Sequence, residues 1–331
     1  MARLIRVLAG LVVLGVVVGC SGGAEDGEAA RTVVAPGRGG GGGSAFWVDP
    51  DGPAAAQIRT WRREGRTEDA ALLARIAEQP VALWPAGEAD PGPAVRAAAR
   101  AAAREDRVAL FAAYDIPHRD CGQHSAGGAA DADAYRRWIG RFADALGDSR
   151  ALVVLEPDAI AHIADGCTPG EYHDERTQLL SDAVNRFKRQ PRTRVYVDAG
   201  HPAWIRDPGQ LVEPLRRAGI ANADGFALNV SNFQTDDATR QYGVELSRRL
   251  GGKHFVVDTS RNGNGPLQGA WCNPPGRALG TRPTTTTGEP ALDAFLWIKR
   301  PGESDGPCAG GPAAGRWWPQ YALELARNSG G

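Results

Sequence analysis

Short apolar runs recur along the chain, and most of them end in a polar residue. They occupy residues 81–84, 108–114, 151–155, 195–198, 226–229, 255–258 and 295–299. Runs of this length without strict alternation read as strands buried on both faces. Between them, residues 93–104, 132–146, 172–187, 208–217 and 238–250 carry the apolar spacing of helices. Strands alternating with helices imply a parallel sheet with helices packed outside it. Seven runs predict an α/β fold, a distorted, seven-stranded parallel (β/α) barrel. An open doubly wound sheet is the alternative, but no Gly-rich phosphate-binding turn follows the first run.

The run at 152–155 stops at Glu156-Pro157-Asp158. Proline has no N–H for a sheet ladder, so the strand ends there with two carboxyls at its tip. A carboxyl in apolar surroundings resists ionising, which suits a general acid. Alone, this could be a strand-end turn with a solvated Asp. The other runs end similarly, in Tyr114 and Asp115, Asp198, Asn229, Asp258 and Lys299. In a parallel barrel these ends share one face, where barrel enzymes place their chemistry.

Upstream of the runs the chain changes character. Arg3 and Arg6 precede an apolar stretch to Val18, too short for a comfortable membrane span, followed by Gly19-Cys20. Residues 1–19 therefore read as a lipoprotein signal peptide and Cys20 as the lipidated first residue. The other reading is an ordinary signal peptide with a chance Cys. Residues 20–44 are Gly-rich, unable to bury a core, and read as a flexible tether. Residues 45–331 are expected to be a single catalytic barrel domain. Of the five cysteines, Cys20 aside, Cys121, Cys167, Cys272 and Cys308 form an even set suited to two disulfides in an exported protein. The net charge of −1 with no basic block argues against nucleic-acid binding. Nine Trp, many beside Gly, Pro or charged residues, offer platforms for sugar rings, although some must be core.

The segment Tyr114-Asp115-Ile116-Pro117-His118-Arg119-Asp120-Cys121 leaves a run into a loop. With Leu155-Glu156-Pro157-Asp158, Asp198-Ala199-Gly200-His201, Trp271-Cys272-Asn273 and Lys299-Arg300-Pro301-Gly302-Glu303, it closely resembles glycoside hydrolase family 6, which contains inverting cellulases. The motifs appear in order from about Phe46 to the end. The stretch 258–265 is most similar to bacterial endoglucanases. The resemblance implies Asp158 as general acid, Asp120 as the residue supporting its raised pKa and the water network, and Tyr114 as the ring crowding a distorted sugar. It implies Ser125 as a water-positioning loop residue, Asp258 as candidate base, and Asp198 as a supporting carboxylate near His201. Trp84, Trp204 and Trp271 match sugar platforms, and Lys299 and Glu303 match hydroxyl contacts. His201, Asn229 and Asn232 complete the substrate-binding candidates. Four cysteines allow three pairings; the resemblance implies Cys121–Cys167 and Cys272–Cys308.

These roles agree with the chemistry of glycoside cleavage, which needs a protonated carboxyl at the leaving oxygen and a second carboxylate activating water. No metal or other cofactor is required, and the His residues lack zinc spacing. Phe233 stands where relatives often carry Tyr, and His118 is assigned no role. Trp138 and Trp297 read as core, Trp47 as either core or site. Arg261 reads equally as an ion-pair partner of a site Asp and as a sugar contact. The expected protein is a monomeric endo-acting β-1,4-glucanase, exported and lipid-anchored on the outer face of the cytoplasmic membrane, or secreted. The short segments 261–271 and 303–317 predict an open groove. The alternatives are a non-catalytic glycan-binding lipoprotein and a barrel glycosidase for another β-glucan.

Overall fold

The computed structural model describes residues 45–86 and 89–330. The expected signal peptide, the tether and Cys20 lie outside them. The chain runs through α1 (Pro53–Arg63), α2 (Thr67–Ala77), α3 (Gly92–Arg104), β1 (Ala109–Ala113), α4 (Ala132–Leu146), β2 (Ala151–Leu155) and the short α5 (Ala161–Ala164). It continues through α6 (His173–Phe187), β3 (Thr193–Asp198), α7 (Gly209–Arg217), β4 (Gly225–Leu228), α8 (Asp236–Arg249), β5 (His254–Asp258), β6 (Leu292–Leu296) and α9 (Pro319–Asn328). Six strands form one curled sheet in the order β1-β2-β3-β4-β5-β6. Every neighbouring pair is parallel.

Among the described residues the sheet is a half-barrel of six strands, and the segment expected as the first strand forms only an isolated bridge. Residues 81–84 lie at the gap of the curled sheet. The Ala82 N–H donates to Trp297 O at 2.9 Å, the Leu83 N–H to Leu110 O at 3.0 Å, and the Ala112 N–H to Leu83 O at 2.8 Å. That amounts to one isolated parallel bridge to β1, Leu83 with Phe111. Pro80 and Pro85 bracket the segment, and neither has an N–H with which to extend a ladder.

Both faces of the sheet are buried, which is why its strands read as continuous apolar runs. Leu110, Leu152, Val154, Tyr196, Ala227, Val256 and Leu296 fill the inside of the curl. Phe111, Val153, Leu155, Val197, Phe226 and Val257 alternate with them and pack under the outer helices, with Trp138 in the same layer. Two helices are capped by side chains: Asp131 Oδ1 accepts from the Ala134 N–H at 2.7 Å and Thr235 Oγ1 from the Ala238 N–H at 3.3 Å. A separate cluster of α1, α2 and α9 closes over Trp297, with Trp61, Leu73, Ile76, Tyr321 and Leu325. Trp47 is core, its indole N–H donating to Glu105 at 3.2 Å. Among the described residues no helix is long and apolar enough to cross a membrane.

Candidate active site

Because all six strands are parallel, their carboxyl ends share one end of the sheet. A cleft of about 1080 Å³ opens there. Of the residues singled out in the sequence, Trp84, Tyr114, Asp120, Ser125, Asp158, His201, Trp204, Asn232, Trp271, Lys299 and Glu303 line it. Asp198, Asn229 and Asp258 are fully buried and do not line it. The backbone around the cleft is unusual. Asp120, Cys121, Glu156, Asp158, Asn229 and Ser231 all take positive φ, between 47° and 73°. Non-glycine residues adopt that region at a cost, and such strain concentrates at functional sites.

Asp158 sits just past β2 with part of its surface open to the cleft. Behind it, Asp198 Oδ1 accepts from the Asp158 N–H at 2.9 Å and the Gly200 N–H at 3.1 Å. Asp198 Oδ2 is buried without a partner. Burial pushes the Asp158 carboxyl well up, repulsion from Asp198 and Asp120 adds to the shift, and Lys299 opposes it. Burial also raises Asp198 to about 7, against the pull of backbone N–H groups. The pair therefore resists ionising.

Asp258 is held differently. Its Oδ1 accepts from the backbone of Ser260 (2.9 Å) and Ile298 (3.2 Å), and its Oδ2 from Ser231 (3.0 Å) and Lys299 (2.9 Å). Both oxygens are occupied by main chain, so this Asp joins the loops after β4, β5 and β6 and presents nothing to the cleft. Asn229 is similarly used, donating to Asp258 O at 2.8 Å and accepting from the Gln234 N–H at 3.0 Å.

A further carboxylate that lines the cleft, and that the sequence does not single out, is Asp305. Its Oδ2 accepts from Arg261 at 2.9 Å and the Asn273 N–H at 3.0 Å, and Lys299 Nζ lies 3.5 Å from Oδ1. Burial would raise its pKa, but Arg261 and Lys299 outweigh that and hold it below the usual carboxylate range. Arg261 is completely buried, stacked 4.4 Å over Phe233, and so is the ion-pair partner rather than a sugar contact. The signal that could have found Asp305 was Arg261, already read as a possible ion-pair partner of a site Asp, because a buried guanidinium needs a counter-charge.

The loop after β1 forms the near wall. Arg119 donates to Tyr114 O at 2.6 Å and Ser125 O at 2.8 Å and stacks 4.6 Å over the Tyr114 ring. Asp120 Oδ2 accepts from the Ser125 N–H at 2.6 Å. Tyr114 meets Trp84 edge-on at 5.7 Å. The Trp84 and Trp204 indoles are tethered to Ile298 O at 2.7 Å and Asp165 at 2.8 Å. Trp271, 51% exposed at the lip, lies tilted with its ring centroid 5.9 Å from that of His124. Glu303 pairs with Arg300. His201 is half-buried, its pKa pushed down to about 4 by desolvation, with Nδ1 inaccessible and unpartnered. The disulfides are Cys121–Cys167 and Cys272–Cys308, each with Cα atoms 6.1 Å apart, and they tie loops of the cleft face. Cys121, His162 and Cys167 converge within 4.8 Å, but both sulfurs are occupied by the disulfide and cannot ligate a metal.

The buried carboxyls make stability depend on pH. Burial is the largest cause of upward shifts in Asp158, Asp198 (to about 7) and Glu156 (to about 8). Each binds its proton more tightly folded than unfolded. Their contribution is complete below about pH 4 and is lost as pH rises through the folded values. Asp305, shifted the other way, acts only below that window, and His201, pushed down to about 4, opposes the trend only up to about pH 6.5. The melting temperature should fall by roughly 5 °C or more between pH 5 and pH 8.5. Calorimetry showing a flat or rising melting temperature over that interval contradicts the assignment.

A family model for glycosyl hydrolases family 6 matches residues 42–329. The chain is 44% identical to endoglucanase A of Cellulomonas fimi over 289 residues, covering 86% of this chain and 62% of that protein. It is 42% identical to endoglucanase 1 of Streptomyces halstedii over 292 residues, covering 85% and 88%. The chain thus spans about three fifths of the length of some of these relatives, 62% in two cases. Among solved structures, an endoglucanase from Mycobacterium tuberculosis in complex with methyl-cellobiosyl-4-deoxy-4-thio-β-D-cellobioside is 43% identical. It superposes with a TM-score of 0.81 over 87% of this chain and 98% of that one. The matched region takes in the whole sheet, the cleft and both disulfides, and the chain belongs to glycosyl hydrolase family 6.

Proposed function

We propose that the chain hydrolyses internal β-1,4-glucosidic bonds of cellulose or a related soluble β-glucan, inverting the anomeric carbon. The observation that carries this reading is Asp158: a carboxyl at the floor of an aromatic-lined cleft, its pKa pushed up by burial and by Asp198 behind it. Asp158 donates its proton to the leaving oxygen. Tyr114 crowds the sugar at the cleavage point, and Asp120 and Ser125 hold the water network. Trp84, Trp204 and Trp271 carry ring faces, and His201, Asn232, Lys299 and Glu303 contact hydroxyls. Asp198 acts from behind through Asp158, and Asn229 by fixing the wall. The role of activating water, expected for Asp258, passes to Asp305, the cleft carboxylate held ionised by two cations. The endoglucanase names of the relatives at 42–44% identity support the substrate class. The bonds of residues 81–84 across the sheet's gap support reading the sheet as a distorted barrel.

Endo action is tested on carboxymethyl cellulose. Viscosity should fall early relative to reducing ends, with α-anomer product first by NMR. Steady cellobiose release with little viscosity loss opposes the endo reading, and β product first opposes inversion.

Lipid anchoring at Cys20 is also part of this proposal. It is supported by the sequence before Cys20 and by the bonding of the other four cysteines to one another. The mature protein then works as a monomer on the outer face of the cytoplasmic membrane. Intact mass of the protein from its native host should include a diacylglyceryl Cys20; an unmodified start downstream of Cys20 sinks the idea.

A further inference from the structure

Glu156 is completely buried, at the tip of β2, and no step of the proposed reaction uses it. Its carboxyl points into main chain. The Asp115 N–H donates to both of its oxygens at 3.0 Å, and the Ile116 N–H to Oε2 at 3.0 Å. The next two residues are held by a guanidinium. Arg176, on α6 and 3% exposed, donates to Pro117 O at 3.3 Å and His118 O at 2.7 Å, with its other arm on Thr168 Oγ1 at 2.7 Å. Four successive residues thus lie between a buried carboxyl that takes their amides and a buried guanidinium that takes their carbonyls.

The returning limb of the loop rests on the same four residues. The Ala129 N–H donates to Asp115 O at 2.8 Å, and a Cβ at Gly128 would stand 1.9 Å from Ile116 O. Arg119, Asp120 and Ser125 follow directly, bonded to one another and to Tyr114. Glu156 itself is two residues from Asp158. One buried residue therefore fixes the acid-bearing turn and the facing loop to a common reference.

We infer that Glu156 and Arg176 are positioning residues: together they clamp backbone 115–118 and so set where Asp120 and Ser125 stand relative to Asp158. This rests on the proposed hydrolytic role. Neither residue touches the cleft, and both act through the loop. A misplacement of about 1 Å at a reacting group can cost on the order of 10²-fold in rate.

The test uses the full chain with Glu156→Gln, Arg176→Lys, Asp120→Asn and the doubles with Asp120→Asn, all assayed well below their melting temperatures on a soluble cello-oligosaccharide. Glu156→Gln keeps the shape but sets an amide donor against the Asp115 N–H. It should lower kcat roughly 10–100-fold with KM changed less than about 3-fold. Arg176→Lys should follow the same split. In the Asp120→Asn background Glu156→Gln should cost less than about 3-fold, because the group it positions is already disabled. Full additivity with Asp120→Asn, or wild-type kcat in a folded Glu156→Gln protein, overturns the inference. Hydrogen exchange judges the clamp without any assay. Residues 115–127 should lose protection in Glu156→Gln, and unchanged protection there also overturns it. If the wild type hydrolyses no glucan while exchange rises as stated, the hydrolytic reading fails and the clamp stands.

Discussion

Asp158→Asn should lower hydrolysis of soluble cellulose on the order of 10²–10⁴-fold, the usual worth of general acid catalysis. Asparagine keeps the shape of the side chain and leaves the bond from the residue 158 N–H to Asp198 in place. What it lacks is the proton. It also removes a carboxyl that burial and Asp198 oppose ionising, so the folded state should be at least as stable as wild type at pH 8. The selective readout is the leaving group. A dinitrophenyl cello-oligoside departs with little protonation and should lose less than about 10-fold, the acid having little left to contribute. Equal loss on activated and unactivated substrates, in a protein of unchanged melting temperature, overturns Asp158 as the acid. Asp120→Asn should instead harm both substrates, because its carboxylate holds the Ser125 loop as well as helping to raise the pKa of the acid.

What the sequence revealed and what it concealed divide along a physical line. Strands buried on both faces leave a run that any reading finds; residues 151–155 and 132–146 match β2 and α4 to the residue. The polar strand ends do collect at one end, as a parallel sheet requires. Strand position does not, however, say which way a carboxyl faces. Asp158 and Asp258 look alike in the sequence, each a strand-end acid after an apolar run. In the fold one reaches a cleft and the other is enclosed by backbone N–H groups from Ser231, Ser260, Ile298 and Lys299. Those donors come from loops after three strands, and no local pattern announces their convergence. Asn229 was misleading in the same way. Asp305 lay hidden for the opposite reason: it sits well beyond β6, and its importance arises from Arg261, 44 residues away in the chain. The first run, 81–84, has strand composition, but its flanking prolines lack the N–H groups that would extend a ladder. Helices α1, α2 and α9 escaped because each contributes a narrow apolar stripe to a cluster that exists only when all of them meet Trp297.

The contrast between Asp258 and Asp305 gives the second large effect. Asp305→Asn should lower kcat on soluble cellulose on the order of 10²–10⁴-fold, the range expected when a base that activates water is lost. The variant should fold, because asparagine can still accept from Arg261 and the Asn273 N–H, although the buried Arg261 loses its counter-charge and some stability goes with it. Azide is a nucleophile that needs no deprotonation. Added to Asp305→Asn it should restore turnover and yield an α-glycosyl azide, while leaving the wild type nearly unaffected. Asp258→Asn should behave in another manner. Its amide would set a donor against main-chain N–H groups that now meet an acceptor, at a cost of about 1–3 kcal/mol for each group left unsatisfied in the interior. The loss should therefore appear as a lower melting temperature and faster hydrogen exchange after β4, β5 and β6, and azide should restore nothing. Azide rescue of Asp258→Asn, or its absence in a folded Asp305→Asn, would return the water-activating role to Asp258 or move it to Asp120.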